Sequence, residues 1–136
     1  EYIPYNPFEK LELKKVKDDG HIQPAAIGEI QAVLKCLDKH KYTELRDYNI
    51  ILLMLDTGIR TSELTALRND DYNPEAACIY IRQEVAKTSR SRTIFLSGMT
   101  NTSLKKFQRV KPQQWQDWLF PTRDGLQLKA NVLGRN

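Results

Sequence analysis

Cysteine, histidine and long apolar runs are scarce in this chain of 136 residues. Its two cysteines, Cys36 and Cys78, are too few for a disulfide framework, so we expect a reducing compartment. The longest uninterrupted apolar run covers residues 50–55, far short of the roughly 20 residues that a membrane-spanning helix needs. The sequence therefore predicts no disulfide scaffold and no membrane partner.

Motifs for cofactors and metals are also missing. The chain has no Gly-x-Gly-x-x-Gly, no phosphate loop that ends in Gly-Lys-Ser/Thr, no His-Glu-x-x-His and no Cys-x-x-Cys. The two histidines, His21 and His40, lie in a predicted turn and a polar helix end, and no serine has a histidine partner by motif. We therefore expect no cofactor and no metal.

Positive charge is concentrated in the last third of the chain. Residues 1–85 carry 11 Lys and Arg against 15 Asp and Glu, a net charge of −4. Residues 86–136 carry 10 against 2, a net charge of +8. Such a basic stretch favours a polyanionic partner, although charge alone leaves a solvated basic surface equally open.

The hydrophobic pattern predicts a mainly helical α+β domain. Pro4 and Pro7 indicate a linker over residues 1–18, and the domain itself is expected from residue 19 onward. Apolar spacing predicts helices at four places, with a fifth beginning near the end: residues 25–37, 43–56, 62–67, 98–110 and 126–134. Of these, the second is apolar all round and is expected to be the central buried helix.

Two runs of strand-forming residues lie in the second half of the sequence. Residues 78–85 and 92–96 are joined by the polar residues 86–91, which predicts an antiparallel hairpin. The expected architecture is a helical bundle with a small antiparallel hairpin sheet.

The most informative segment covers residues 55–64, where a glycine, Gly58, ends the apolar helix and a short helix follows. Arg60 lies at this junction, and Glu63 follows within one helical turn, where it can contact the guanidinium. A surface Arg–Glu pair is the plain alternative. A partly buried arginine with one carboxylate would keep donors free for the two-pronged recognition of a phosphate.

The predicted hairpin loop carries Lys87 among small hydroxyl residues, with two further cations, Arg90 in the loop and Arg92 directly after it. This composition suits contacts to phosphates. A solvated hairpin tip is the commoner meaning of such a loop taken alone.

Residues 57–64, Thr-Gly-Ile-Arg-Thr-Ser-Glu-Leu, resemble the first arginine motif of the tyrosine recombinases, the family of phage and transposon integrases. The acidic turn at residues 69–72 and the segment 86–96 are similar to the turn and the lysine hairpin that follow in that family. Residues 119–122 resemble the segment before its second-arginine half, and residues 6–8 resemble its link to a core-binding domain. The resemblance covers nearly the whole chain.

The family also uses a His-x-x-Arg motif, a further His or Trp and a nucleophilic tyrosine near its C-terminus. None of these has a counterpart here, since the last histidine is His40 and the last tyrosine is Tyr80. The resemblance therefore implies that residues 19–136 are the N-terminal portion of the catalytic domain. It also implies that residues 1–18 link this portion to a missing core-binding domain, and that the chain alone is inactive.

The resemblance implies a site-specific DNA recombinase that breaks and rejoins double-stranded DNA through a 3′-phosphotyrosine. Arg60 would stabilise the transition state, Glu63 would hold Arg60, and Lys87 would protonate the leaving 5′-oxygen. The residues expected to contact DNA phosphates are Thr88, Arg90 and Arg92. Partners would be the recombination site and other integrase protomers, in a bacterial cytoplasm at the nucleoid.

Two other readings of the sequence remain open. One is a non-catalytic DNA-binding module with a recombinase-like fold, and the other is a basic scaffold that binds no nucleic acid. A domain cut short should also leave apolar surface uncovered, so we expect self-association.

Overall fold

We describe the protein from a computed structural model, in which residues 23–130 are placed. The predicted linker at residues 1–18 and the end of the helix predicted at 126–134 lie outside the described residues. Among the described residues, no helix combines the length and apolarity needed to cross a bilayer.

The described chain forms four α-helices, a short 3₁₀ turn and one three-stranded sheet. In chain order the elements are α1 (Ile27–Cys36), α2 (Tyr42–Thr57), α3 (Thr61–Thr65), the 3₁₀ turn (Asn69–Asp71), β1 (Tyr72–Asn73), β2 (Cys78–Ile81), β3 (Arg92–Phe95) and α4 (Gly98–Val110). This confirms the predicted mainly helical α+β class, and α4 has the predicted bounds.

The core lies between α2, α4 and the inner face of the sheet. Leu53 of α2 and Phe107 of α4 are fully buried, as are Ile79 and Ile81 of β2. Burying each such side chain contributes roughly 1.5–3 kcal/mol. α2 is thus the central helix, as its apolar sequence predicts, although Leu55 in its last turn remains exposed.

α2 ends where the sequence predicts, and its end fixes the direction of the chain into α3. Gly58 adopts a left-handed conformation with φ 63°, and its N–H donates to the Met54 carbonyl at 2.9 Å. A side chain at this φ would be strained, so the glycine is the residue that allows the reversal. The residue that follows, Ile59, enters the core.

The sheet is antiparallel in the order β1-β2-β3, with Ile79 opposite Ile94. The prediction that the first long strand extends over residues 78–85 is wrong, because it ends at Ile81. The amides of Val85 and Ala86 both turn back to the carbonyl of Arg82, at 3.2 and 3.1 Å, which curls the chain out of the sheet. The connection between the strands is therefore residues 82–91.

α1 has the predicted apolar stripe, but none of its residues is buried. Ile27 is 75% exposed, and Val33 is also exposed. The inner side of α1 instead borders an open apolar groove, together with Leu52 and Met99. The expected self-association stays a prediction.

The segment after α4 is held by side chains rather than by regular structure. Phe107 stacks on Phe120, and Tyr42 stacks on Phe107. The helix predicted from residue 126 is not present over residues 126–129, because Gln127 forms a β-bridge with Pro121. Among residues 126–130, helical structure is present only at residue 130.

Lys111 follows α4 and is buried, with 4% of its surface exposed. Its Nζ donates to the Trp118 carbonyl at 3.1 Å and to the Asn69 side-chain oxygen. Both acceptors are neutral, and burial lowers the pKa of Lys111 from 10.5 to about 8. The lysine joins the end of α4 to the 3₁₀ turn and to the Trp118 segment.

We expect the free energy of unfolding to rise by about 1.5 kcal/mol between pH 8 and about pH 9.5 because of Lys111 alone. A lysine with a lowered folded-state pKa binds fewer protons when folded than when unfolded, so stability increases as pH rises through this interval. Urea unfolding of the protein and its Lys111→Met variant at both pH values measures the effect. The variant should lose this rise, and an equal pH dependence in both proteins would contradict the prediction.

Candidate active site

Arg60 lies at the junction between α2 and α3, where it is the N-cap residue of α3. Thr61 and Ser62 are common N-cap residue types, but here both lie inside the helix. The side chain of Arg60 is 47% exposed, so about half of it is in contact with solvent. Its neighbours Ile59 and Leu64 pack in the core, and the guanidinium lies on the solvent side.

Glu63 is the buried centre of the site, with none of its surface exposed. One carboxylate oxygen, Oε2, accepts from the Arg60 backbone N–H at 3.3 Å, and Oε1 lies 3.5 Å from Arg60 Nη1. The shortest contacts come from Arg92, whose Nη1 and Nη2 donate to Oε1 and Oε2 at 3.0 and 2.7 Å. Glu63 thus binds Arg92 with two parallel hydrogen bonds and Arg60 more weakly.

The electrostatics follow from this geometry. The hydrogen bonds from Arg92 hold the pKa of Glu63 below its usual range, and the same pair raises the pKa of Arg92. The carboxylate is therefore ionised at neutral pH, and its charge is compensated chiefly by Arg92. Arg60 keeps most of its five N–H donors, because its only side-chain contact to Glu63 is the one at 3.5 Å.

The predicted lysine lies on an exposed turn between β2 and β3. Lys87, Thr88 and Arg90 are all exposed. The turn closes by a hydrogen bond from the Ser89 N–H to the carbonyl of Ala86, which is itself part of the core cluster. The turn is therefore anchored on one side by Ala86 and presents its cations to solvent.

Arg82 also lies in this region, and it is not among the candidate residues predicted from the sequence. Its Nε donates to both oxygens of Asp71, at 3.0 and 3.2 Å, and its Nη2 donates to the Ala66 carbonyl at 2.8 Å. Asp71 is buried and also accepts from the Arg68 N–H at 2.8 Å. A charged residue directly after the apolar run 78–81 was the available signal.

The structure brings together three of the six predicted site residues by direct contact, namely Arg60, Glu63 and Arg92. Lys87, Thr88 and Arg90 share the exposed turn and form no ion pair within residues 23–130. No group of three His, Cys, Asp or Glu side chains in the same residues is arranged to hold a metal ion. The arrangement offers two exposed cations, Arg60 and Lys87, on a scaffold fixed by ion pairs to the buried carboxylates of Glu63 and Asp71, which suits a phosphate ligand.

Solved structures share this architecture. The chain aligns with the integrase of transposon Tn1549 in complex with transposon right end DNA, at a TM-score of 0.67 and 20% sequence identity. The alignment covers 93% of this chain and 47% of that one. At this identity the likeness shows a shared fold, that of a DNA integrase.

The model of the Phage integrase family matches residues 27–136, most of the chain. The chain therefore belongs to the phage integrase family, the tyrosine recombinases. It is 33% identical over 130 residues to the tyrosine recombinase XerA of Saccharolobus solfataricus, covering 95% of this chain and 40% of that protein. It is 29% identical over 112 residues to XerC of Caldanaerobacter subterraneus, covering 82% of this chain and 30% of that protein.

The chain spans less than half the length of these relatives. The family assignment agrees with the resemblance that begins at residues 57–64. The roles of the individual site residues and the division between residues 18 and 19 stay predictions.

Proposed function

We propose that the protein containing this chain is a site-specific recombinase that breaks and rejoins double-stranded DNA through a 3′-phosphotyrosine. The observation that carries the proposal is the exposed guanidinium of Arg60 with its free N–H donors. Its guanidinium is exposed at the α2–α3 junction, while the buried carboxylate beside it is already bound by Arg92. An arginine whose backbone N–H is bound by a buried carboxylate, and whose guanidinium retains free donors, is suited to a phosphate that gains charge during reaction.

The proposed step is a transfer of the phosphoryl group from DNA to a tyrosine. The tyrosine oxygen loses its phenolic proton to solvent and forms a bond to phosphorus, and the bond between phosphorus and the 5′-oxygen breaks. Arg60 stabilises the added negative charge on the non-bridging oxygens. Lys87 gives its ammonium proton to the departing 5′-oxygen, which leaves as a 5′-hydroxyl. No tyrosine of this chain matches the family's nucleophile, so the nucleophile is supplied from outside these 136 residues.

Phosphates next to the cleaved bond would bind the turn that carries Lys87. Thr88 offers a hydroxyl and Arg90 a guanidinium on the same exposed turn. Arg92 uses two nitrogens on Glu63 and retains its Nε–H for a phosphate. These contacts carry no base information, so they support affinity rather than the choice of target sequence.

The proposed partners are the DNA of a recombination site and further protomers of the same recombinase, with no membrane partner. The proposed location is a bacterial cytoplasm, at the nucleoid when DNA is bound. The names of the relatives support this proposal, since they include a transposon integrase in complex with DNA.

The test is covalent trapping on a DNA substrate with a nick beside the cleavage site, which lets the 5′ product diffuse away. We expect the intact recombinase to form a 3′-phosphotyrosyl adduct, and these 136 residues alone to form none. Binding of DNA by the intact protein without an adduct would instead favour the non-catalytic module. An adduct formed by the chain alone would contradict the proposal that the nucleophile lies elsewhere.

A further inference from the structure

Arg82 is the first residue after β2, and each nitrogen of its guanidinium is engaged. Nε and Nη2 bind Asp71 and the Ala66 carbonyl, and Nη1 binds Glu84 at 3.2 Å. The Arg82 side chain is 23% exposed and Asp71 is 7% exposed, whereas Glu84 is 67% exposed. Because three of its five N–H donors are already used and its side chain is only 23% exposed, Arg82 has little left to offer a DNA phosphate.

The side chain of Arg82 reaches the end of the helix that begins at Arg60. Ala66 is the C-cap residue of α3, and its carbonyl accepts the 2.8 Å hydrogen bond from Nη2. Asp71 ends the 3₁₀ turn that follows, so the two acceptors fix Arg82 to both elements after the arginine junction. Both hydrogen bonds are donated by a charged guanidinium, and such bonds are stronger than those between neutral groups.

The backbone of Arg82 supports the turn that carries Lys87. Its carbonyl accepts from the amides of Val85 and Ala86, and Ala86 immediately precedes Lys87. Arg82 therefore links two places: its side chain binds the C-cap residue of α3, Ala66, and its carbonyl binds Ala86, the residue before the lysine. The other end of the same connection is held to α3 by the pair of Arg92 and Glu63.

We propose that Arg82 is a positioning residue that holds the Lys87 turn against the α3 segment for proton transfer to the leaving 5′-oxygen. This proposal rests on the role given to Lys87 above. Its physical reason is that proton transfer requires the ammonium within hydrogen-bond reach of the leaving oxygen, and a displacement of about 1 Å can cost about 100-fold in rate. Without Arg82, the turn loses its tie to Ala66 and Asp71.

The test uses two DNA substrates, one with the natural 5′-bridging oxygen and one with sulfur in its place. A thiol has a pKa near 8.5 and leaves without a proton, so the sulfur substrate does not need the general acid. We expect Arg82→Gln in the intact recombinase to slow single-turnover cleavage of the oxygen substrate by about 10- to 100-fold. Cleavage of the sulfur substrate should fall less than threefold, an order-of-magnitude expectation from the same geometric argument.

Glu84→Gln is the matched control, because it removes only the negative charge from the exposed contact of Arg82 and should leave both rates unchanged. The ratio of the two rates within one preparation does not depend on the folded fraction, so a loss of stability cannot produce the expected pattern. An equal loss on both substrates would overturn the positioning role. If Lys87→Ala is also not rescued by sulfur, the general-acid assignment itself fails, and the two failures are thereby distinguished.

Discussion

Replacement of Arg60 by alanine in the intact recombinase is expected to lower the rate of DNA strand cleavage by about 100- to 1,000-fold. The guanidinium is the exposed cation at the α2–α3 junction, and its proposed partner is the phosphate as it gains negative charge. This contact strengthens in the transition state, so the rate constant of cleavage should fall much more than the affinity for DNA. Single-turnover cleavage at saturating protein, with binding measured separately, separates the two effects.

Two variants sharpen the Arg60 experiment. Arg60→Lys should recover only part of the rate, because an ammonium is a point charge and cannot form the two-pronged contact of a guanidinium. Arg109→Ala removes the same charge from an exposed position near the end of α4 and should cleave at the original rate. Cleavage by Arg60→Ala at the rate of the unaltered protein would contradict the role given to Arg60.

Replacement of Lys87 by alanine is expected to slow cleavage of natural DNA by about 100- to 10,000-fold, the range of general acid catalysis. With sulfur at the 5′-bridging position, the variant should approach the rate of the unaltered protein, since the leaving thiolate needs no proton. Arg60→Ala should remain slow on the same substrate, because the charge on the non-bridging oxygens still needs stabilisation.

Arg90→Ala is the matched control for Lys87, as it removes a cation from the same exposed turn. It should weaken DNA binding and reduce the slope of log affinity against log salt by about 1, with no preference for the sulfur substrate. If sulfur restored cleavage by Arg90→Ala, or failed to restore cleavage by Lys87→Ala, the proton would come from a residue other than Lys87.

Much of the fold could be predicted because its signals are local. The apolar run at residues 50–55 and the glycine at position 58 placed α2 and its end, and the spacing of Leu104 and Phe107 placed α4. The hairpin was predicted from strand-forming residues, but its first strand was too long. Nothing in the residues after Ile81 shows that their amides return to the Arg82 carbonyl, because that choice depends on where Arg82 is held.

The sequence by itself determined the family and the candidate residues, because the motif at residues 57–64 and the ordered segments after it are local patterns. Only the tertiary structure decided the pairing of charges. Glu63 is three residues from Arg60, but its short contacts go to Arg92, 29 residues away, and Arg82 binds Asp71 across 11 residues. Such partners are chosen by how the sheet packs against α3, which local spacing does not encode.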